Sequence, residues 1–105
     1  RPWVFQAGHQ IEWAKLCILL YEPLSSQSWL FPAAMRLFDT TVPIAWDEAN
    51  GGLVYSLSTD RTTCCDNDKY YWVQAEGIVT AALLGSVTGD TRYYTCTFHR
   101  CVSRF

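Results

Sequence analysis

The chain has 105 residues, of which half are hydrophobic and 15% are aromatic, and its formal net charge is −2. A slightly acidic chain without a basic cluster is not expected to bind nucleic acid. No apolar run approaches the roughly 20 residues of a membrane-spanning helix, so we expect no membrane partner. The length suffices for one small domain or for part of a larger one.

The cysteine pattern indicates free thiols. The number of cysteines is odd, two of them are adjacent, and one lies inside an apolar helical pattern. The five are Cys17, Cys64, Cys65, Cys96 and Cys101. This is not the even, spaced pattern of a disulfide framework. Free thiols are typical of a reducing compartment, so we expect a cytoplasmic protein.

Two weak patterns for metal binding occur. Asp66 and Asp68 lack the glycine and the distal glutamate of a calcium loop. Cys96, His99 and Cys101 lack a second ligand pair at the spacing of a zinc site. We therefore predict no metal site.

Hydrophobic periodicity predicts three helices. The first covers about 9–21, the second about 29–41, and the third about 71–86. Pro43 is expected to end the second helix, and Gly89 follows the third. A fourth helix is predicted to begin after Asp90.

The segments between the helices predict little regular structure apart from one hairpin. Residues 1–8 are predicted to form an extended lead-in to the first helix. A strand over 53–57 and a returning partner over 62–65, each bounded by turn residues, predict a small β-hairpin between the second and third helices.

The helices differ in how much of their surface is apolar. The first is apolar nearly all round, and only Gln10, Lys15 and Glu22 look tolerant of solvent. Such a helix is buried on both sides, whereas the second has the one-sided stripe of an outer helix. The third is again strongly apolar. Alternating inner and outer helices are typical of an α/α solenoid or an α/α barrel.

A histidine and a carboxylate share a face of the first helix. His9 and Glu12 lie on the same face as Trp13 and Leu16. One interpretation is a general base beside an orienting or substrate-binding carboxylate. The other is a core histidine hydrogen-bonded to Glu12, which these residues alone slightly favour.

A second carboxylate falls on the apolar arc of the third helix. Glu76 lies one turn after Trp72. A buried carboxylate is costly unless it is paired. Glu76 either projects into a polar cavity, with Trp72 as a flat wall for a sugar ring, or pairs with Lys69 or another cation. A cavity with two carboxylates, a histidine and aromatic walls suits a polyhydroxylated substrate.

The segment 5–16, FQAGHQIEWAKL, resembles the GHxxEWAxLL signature of the N-acylglucosamine 2-epimerase superfamily. Its EWA form is more similar to the mannose isomerase branch than to the epimerase branch. Further matching motifs follow in order, so that the resemblance covers residues 1 to about 94: Trp46-Asp47, 51–55, 68–76 and 88–93. The resemblance implies a mainly α fold, a fragment of an (α/α)6 barrel with a sugar pocket at one end.

The resemblance also implies a chemistry and its residues. Family members move the proton at C2 of an open-chain sugar with histidines as acid and base, without a metal or other cofactor. His9 and Glu76 are then expected to be catalytic, and Glu12 and Trp72 to bind the substrate. The expected partner is a monosaccharide.

The chain departs from the family pattern in several places. An arginine from an earlier segment and a second catalytic histidine are not matched here, and His99 does not lie in the motif of that histidine. Residues 95–105 are rich in Cys and Arg where the family continues with an aromatic, aliphatic helix. We expect 1–94 to be part of a barrel domain and 95–105 to be a remodelled or out-of-frame tail.

The expected function is aldose–ketose isomerisation of a mannose-like sugar, with this fragment alone inactive. Two alternatives stay open. One is an N-acylglucosamine 2-epimerase. The other is a non-catalytic helical interaction module that keeps the scaffold and self-associates through exposed helix faces.

Overall fold

A computed structural model describes residues 4–21 and 26–93. The predicted mainly helical architecture is confirmed, with three helices and a small sheet among the described residues. In chain order the elements are β1 (Val4–Gln6), α1 (Ala7–Tyr21), α2 (Leu30–Ala45), β2 (Ser56–Ser58), β3 (Cys64–Asp66) and α3 (Tyr71–Thr88). No helix within these ranges is long and apolar enough to cross a membrane.

The predicted hairpin is present, but it belongs to a three-stranded antiparallel sheet in the order β1-β2-β3. The lead-in over 1–8 was predicted as merely extended; its residues Val4–Gln6 pair with Ser56–Ser58. The hairpin strands begin later than predicted. Leu53 forms only an isolated bridge with Trp46, and an irregular register between β2 and β3 follows Ser56.

Helix α1 occupies the centre and packs against both α2 and α3. One side of it is buried in the core: Ala7, Gly8, Ile11, Ala14, Cys17 and Ile18. The other side stays open, with Trp13 61% and Leu19 52% exposed. The prediction of a helix buried on both sides therefore holds for only one side within this chain.

Helix α2 has the predicted single apolar stripe, but its predicted end is wrong. Pro43 lies inside the helix, which continues to Ala45. Proline removes one helical hydrogen bond and crowds the preceding turn. On either side of it Val42 and Ala45 are buried, and the Trp46 N–H donates to the Val42 carbonyl. Packing of the last turn against the core thus outweighs the local cost of the proline.

Helix α3 ends where the sequence predicts. Gly89 has a φ of 73°, and its N–H donates to the Gly85 carbonyl. A left-handed residue at this position is a common helix terminator that favours glycine. The buried side of α3 is formed by Val73, Gly77, Thr80, Ala81, Leu84 and Gly85. Val79 and Val87, on another side of α3, are about half exposed.

The predicted fourth helix is described only as far as Tyr93. Asp90 accepts a hydrogen bond from the backbone N–H of Arg92, as a residue at a helix start does. The tail over 95–105, with Cys96, His99 and Cys101, lies outside the described residues.

Candidate functional site

Helices α1 and α3 lie side by side and run in the same direction. Gly8 at the start of α1 faces the Trp72 indole near the start of α3, and a Cβ at Gly8 would lie 2.5 Å from it. Farther along both helices, the Thr80 hydroxyl donates to the Ile11 carbonyl at 3.4 Å. This close approach brings the predicted site residues of the two helices to one shared surface.

His9 and Trp72 are in contact across this interface. Their ring centroids lie 5.3 Å apart, with an angle of 48° between the planes. The two residues are 63 positions apart in the chain, and each lies in the first turn of its helix. The structure therefore joins the two predicted pairs, His9 with Glu12 and Trp72 with Glu76.

His9 faces the open side of the molecule. Its Nδ1 lies 3.5 Å from Oε1 of Glu12, and the side chains are 54% and 42% exposed. The interpretation of His9 as a core histidine is therefore wrong for this chain. An accessible imidazole beside a carboxylate has the arrangement needed to exchange protons with a bound molecule.

Glu76 pairs with a cation, as one of the two interpretations expects, but the cation is Lys15. The Lys15 Nζ lies 2.8 Å from Glu76 Oε1, and the side chains are 23% and 17% exposed. Lys69, which the sequence suggests as a partner, instead pairs with Asp47 at 2.8 Å. Among the described residues, Oε2 of Glu76 is buried without a hydrogen-bond partner.

We call the surface formed by His9, Glu12, Lys15, Trp72 and Glu76 the inner face. It carries an imidazole, two carboxylates, an ammonium group and an indole. Carboxylates accept hydrogen bonds from hydroxyl groups, and an indole offers a flat apolar surface for a sugar ring. Within residues 4–21 and 26–93, no group of three or more His, Cys, Asp or Glu side chains is placed to hold a metal ion.

The residue that sequence reasoning missed is Lys15. Its charge suggests a solvated position on an otherwise apolar helix. The helical spacing contained the necessary clue, because Lys15 follows Glu12 by three residues, as Glu12 follows His9. Residues three apart are neighbours on a helix surface, which places Lys15 next to Glu12.

A separate cavity of about 800 Å³ lies between the end of α2 and the sheet. Its lining includes Trp46, Leu57, Arg61 and Cys64, and none of the inner-face residues. The predicted site is therefore not part of this cavity.

Comparison with known proteins identifies one family and several relatives. The sequence profile of the N-acylglucosamine 2-epimerase (GlcNAc 2-epimerase) family matches residues 1–105. The D-mannose isomerase of Marinomonas mediterranea is 50% identical over 94 residues, which are 90% of this chain and 23% of that protein. The D-mannose isomerase of Thermobifida fusca is 38% identical over 95 residues, 89% of this chain and 23% of that protein.

A solved structure shares the fold. A crystal structure of D-mannose isomerase superimposes with a TM-score of 0.85 at 48% identity, covering 93% of this chain and 25% of that one. The chain thus spans about a quarter of the length of the relatives it matches. The three helices and the small sheet correspond to a fragment of the helical barrel fold of D-mannose isomerase. On the profile match and these identities, the chain belongs to the N-acylglucosamine 2-epimerase family.

Proposed function

We propose that this chain is a segment of a sugar isomerase that interconverts a mannose-like aldose and its 2-ketose, acting in the cytoplasm. The observation that carries the proposal is the exposed His9 imidazole, which lies between Glu12 and the Trp72 indole on the inner face. Relatives named D-mannose isomerase support this choice of substrate class. The free thiols of Cys17, Cys64 and Cys65 support the location.

In the proposed reaction, the open-chain aldose lies with its C2 hydrogen toward His9. The imidazole takes this proton, and the electron pair of the C–H bond forms an enediolate across C1 and C2. Return of a proton to C1, together with transfer of the O2 proton to O1, gives the 2-ketose. Every step is a proton transfer, so the atoms and electrons balance without an oxidant or a reductant.

The remaining inner-face residues have supporting roles in this proposal. Trp72 provides a wall for the sugar, and Glu12 accepts hydrogen bonds from its hydroxyl groups. Glu76 is the carboxylate that polarises the reacting hydroxyl groups. Since the chain spans about a quarter of its relatives, the opposite walls of the pocket are expected to come from outside it.

A substrate panel tests the reaction class. The full-length protein that carries this segment should convert mannose to fructose, with slower turnover of N-acylglucosamine. Preferred 2-epimerisation of the N-acyl sugar would instead support the epimerase alternative. The 105-residue chain alone should be inactive on both sugars, and measurable conversion by it would contradict the expected division of the pocket.

The exposed apolar side chains of α1 and α3 favour the second candidate, a non-catalytic interaction module. Trp13, Leu16 and Leu19 of α1 and Val79 and Val87 of α3 are all more than a third exposed. Exposed apolar side chains that lie close together commonly mark an interface. Size-exclusion chromatography of the chain distinguishes the outcomes, because a stable dimer together with an inactive full-length protein would favour the module.

A further inference from the structure

Lys15 occupies an unexpected position for a helical lysine. Its ammonium group bridges α1 to α3 through Glu76, over a distance of 2.8 Å between Nζ and Oε1. Most of the side chain is buried, since only 23% of it is exposed. A solvated lysine would keep its charged end in water.

The Lys15–Glu76 pair, like the His9–Trp72 contact, joins α1 to α3. Along α1, Lys15 follows His9 by six residues, which corresponds to about 9 Å along the helix axis. Along α3, Glu76 follows Trp72 by four residues, or about 6 Å. The two contacts between α1 and α3 therefore follow one another along the helices, and the ion pair lies farther from the N-terminal end of each helix.

The ion pair provides a partner for only one of the two carboxylate oxygens of Glu76. Lys15 holds Oε1, whereas Oε2 is buried and has no hydrogen-bond partner among the described residues. A buried oxygen without a donor destabilises the fold, and native structures contain few of them. Oε2 is thus left for a donor that residues 4–21 and 26–93 do not supply.

Stability alone does not explain this arrangement. Replacing a buried ion pair by apolar side chains of similar volume is often neutral or stabilising. The α1–α3 interface already has an apolar core in Ile11, Ala14, Val73 and Ala81, all fully buried. A lysine and a glutamate with one unpaired oxygen beside this core are better explained by a functional role of the two side chains.

We propose that Lys15 is a positioning residue of the isomerase site, whose ammonium group fixes the Glu76 carboxylate by one oxygen so that the other is directed to a substrate hydroxyl group. This rests on the proposed function. Lys15 does not touch the substrate and acts only through Glu76. An arginine can make the same contact, whereas a methionine of similar length cannot.

The test compares four variants of the full-length protein: Lys15→Met, Lys15→Arg, Glu76→Gln and the double variant Lys15→Met/Glu76→Gln. Lys69→Met is the matched control, because it removes a second lysine–carboxylate pair of the same 2.8 Å length that lies off the inner face. The measurements are kcat and KM for mannose, the thermal midpoint, and a crystal structure of Lys15→Met.

We expect Lys15→Met to lower kcat/KM by about 10- to 100-fold, the scale of a misplaced catalytic group. The thermal midpoint should fall as well, because the variant leaves a mostly buried carboxylate unpaired, and it should rise again in the double variant, where the carboxylate is replaced by a neutral amide. Lys15→Arg should recover most of the activity, and Lys69→Met should keep it. In the Glu76→Gln background, Lys15→Met should cause no further loss, since residues acting through one contact are not additive. The Lys15→Met crystal structure should show a displaced Glu76 carboxylate.

Two results would overturn the assignment of Lys15. One is a kcat/KM unchanged in Lys15→Met while wild type is active, which leaves the proposed function intact. The other is an undisplaced Glu76 in the variant structure, which is informative even without activity. A wild-type protein that isomerises no sugar of the panel would instead contradict the proposed function itself.

Discussion

The His9 imidazole lies against the Trp72 indole because Gly8, next to His9, has no side chain. The ring centroids are 5.3 Å apart, and a Cβ at Gly8 would lie 2.5 Å from Cη2 of Trp72 and 2.8 Å from Cγ2 of Val73. Both distances are shorter than van der Waals contact. Gly8 therefore sets the separation of α1 and α3 at the inner face.

Gly8→Ala should destabilise the chain and disturb the site together. Overpacking of a close interface costs about 1–3 kcal/mol, and here it must displace Trp72 or separate the helices. Urea unfolding measures the loss of stability, and mannose turnover of the full-length variant measures the effect on the site.

Gly89→Ala is the control for Gly8→Ala. A Cβ at Gly89 would meet nothing within 4 Å, so the cost is limited to about 1 kcal/mol of backbone strain at a positive φ. Turnover should be unchanged in this variant. Equal effects of the two substitutions on turnover would contradict a specific role of Gly8 at the His9–Trp72 contact.

Gln74 holds the segment before β2 against α3. The Leu53 N–H donates to its Oε1 and its Nε2 donates to the Leu53 carbonyl, both at 2.8 Å. Leu53 is fully buried, so Gln74→Leu would leave two backbone groups without partners. We expect a loss of about 1–3 kcal/mol in the free energy of unfolding, measured by urea titration.

Gln27→Leu provides the comparison for Gln74→Leu. Gln27 is exposed in the turn before α2, so its replacement should change the free energy of unfolding by less than about 0.5 kcal/mol. If Gln74→Leu changed the free energy of unfolding as little as Gln27→Leu, the two hydrogen bonds to Leu53 would not hold this segment in solution.

The Tyr93–Asp39 contact predicts a pH dependence at the alkaline end. Burial, followed by the nearby charge of Asp39, raises the pKa of Tyr93 to about 12. The Tyr93 hydroxyl donates to Asp39 Oδ2 at 3.2 Å. Because the fold favours the neutral phenol, this stability is fully present below pH 10 and is lost as the pH rises towards 12.

Thermal midpoints measured between pH 8 and pH 12 test this dependence, with Tyr93→Phe as the reference. At pH 8 the wild type should be more stable by about 0.5–1.5 kcal/mol, the contribution of a typical hydrogen bond. The difference should shrink from pH 10 upward. A constant difference across the range would show that ionisation of Tyr93 is not linked to unfolding.

Local sequence patterns predicted the helices well, because their spacing and terminators are local properties. Gly89 ends α3 as expected. These patterns failed where contacts between residues far apart in the sequence determine the local structure. Val4–Gln6 becomes a strand only by pairing with Ser56–Ser58, which lies far along the chain. Likewise Pro43 stays within α2 because the core holds the turn around it.

Four of the five inner-face residues were named from the sequence, but the contacts between them were not. The spacing placed His9 and Glu12 on one helix face, and Trp72 and Glu76 on another. That these faces meet depends on the packing at Gly8. Lys15 was missed because a charged residue on an apolar helix is expected to face solvent. Its partner, Glu76, is contributed by α3. The roles of these residues in catalysis stay predictions.

His9 is proposed to move the C2 proton, and hydrogen exchange at the reacting carbons tests this role most directly. The full-length protein and its His9→Ala variant are incubated with mannose in D2O, and NMR follows both fructose formation and deuterium uptake at the reacting carbons. Gln10→Ala, one residue away on α1, serves as the control. We predict that His9→Ala slows both processes by about 10²-fold or more while Gln10→Ala leaves them unchanged. Wild-type rates of conversion and deuterium uptake in folded His9→Ala would contradict the account.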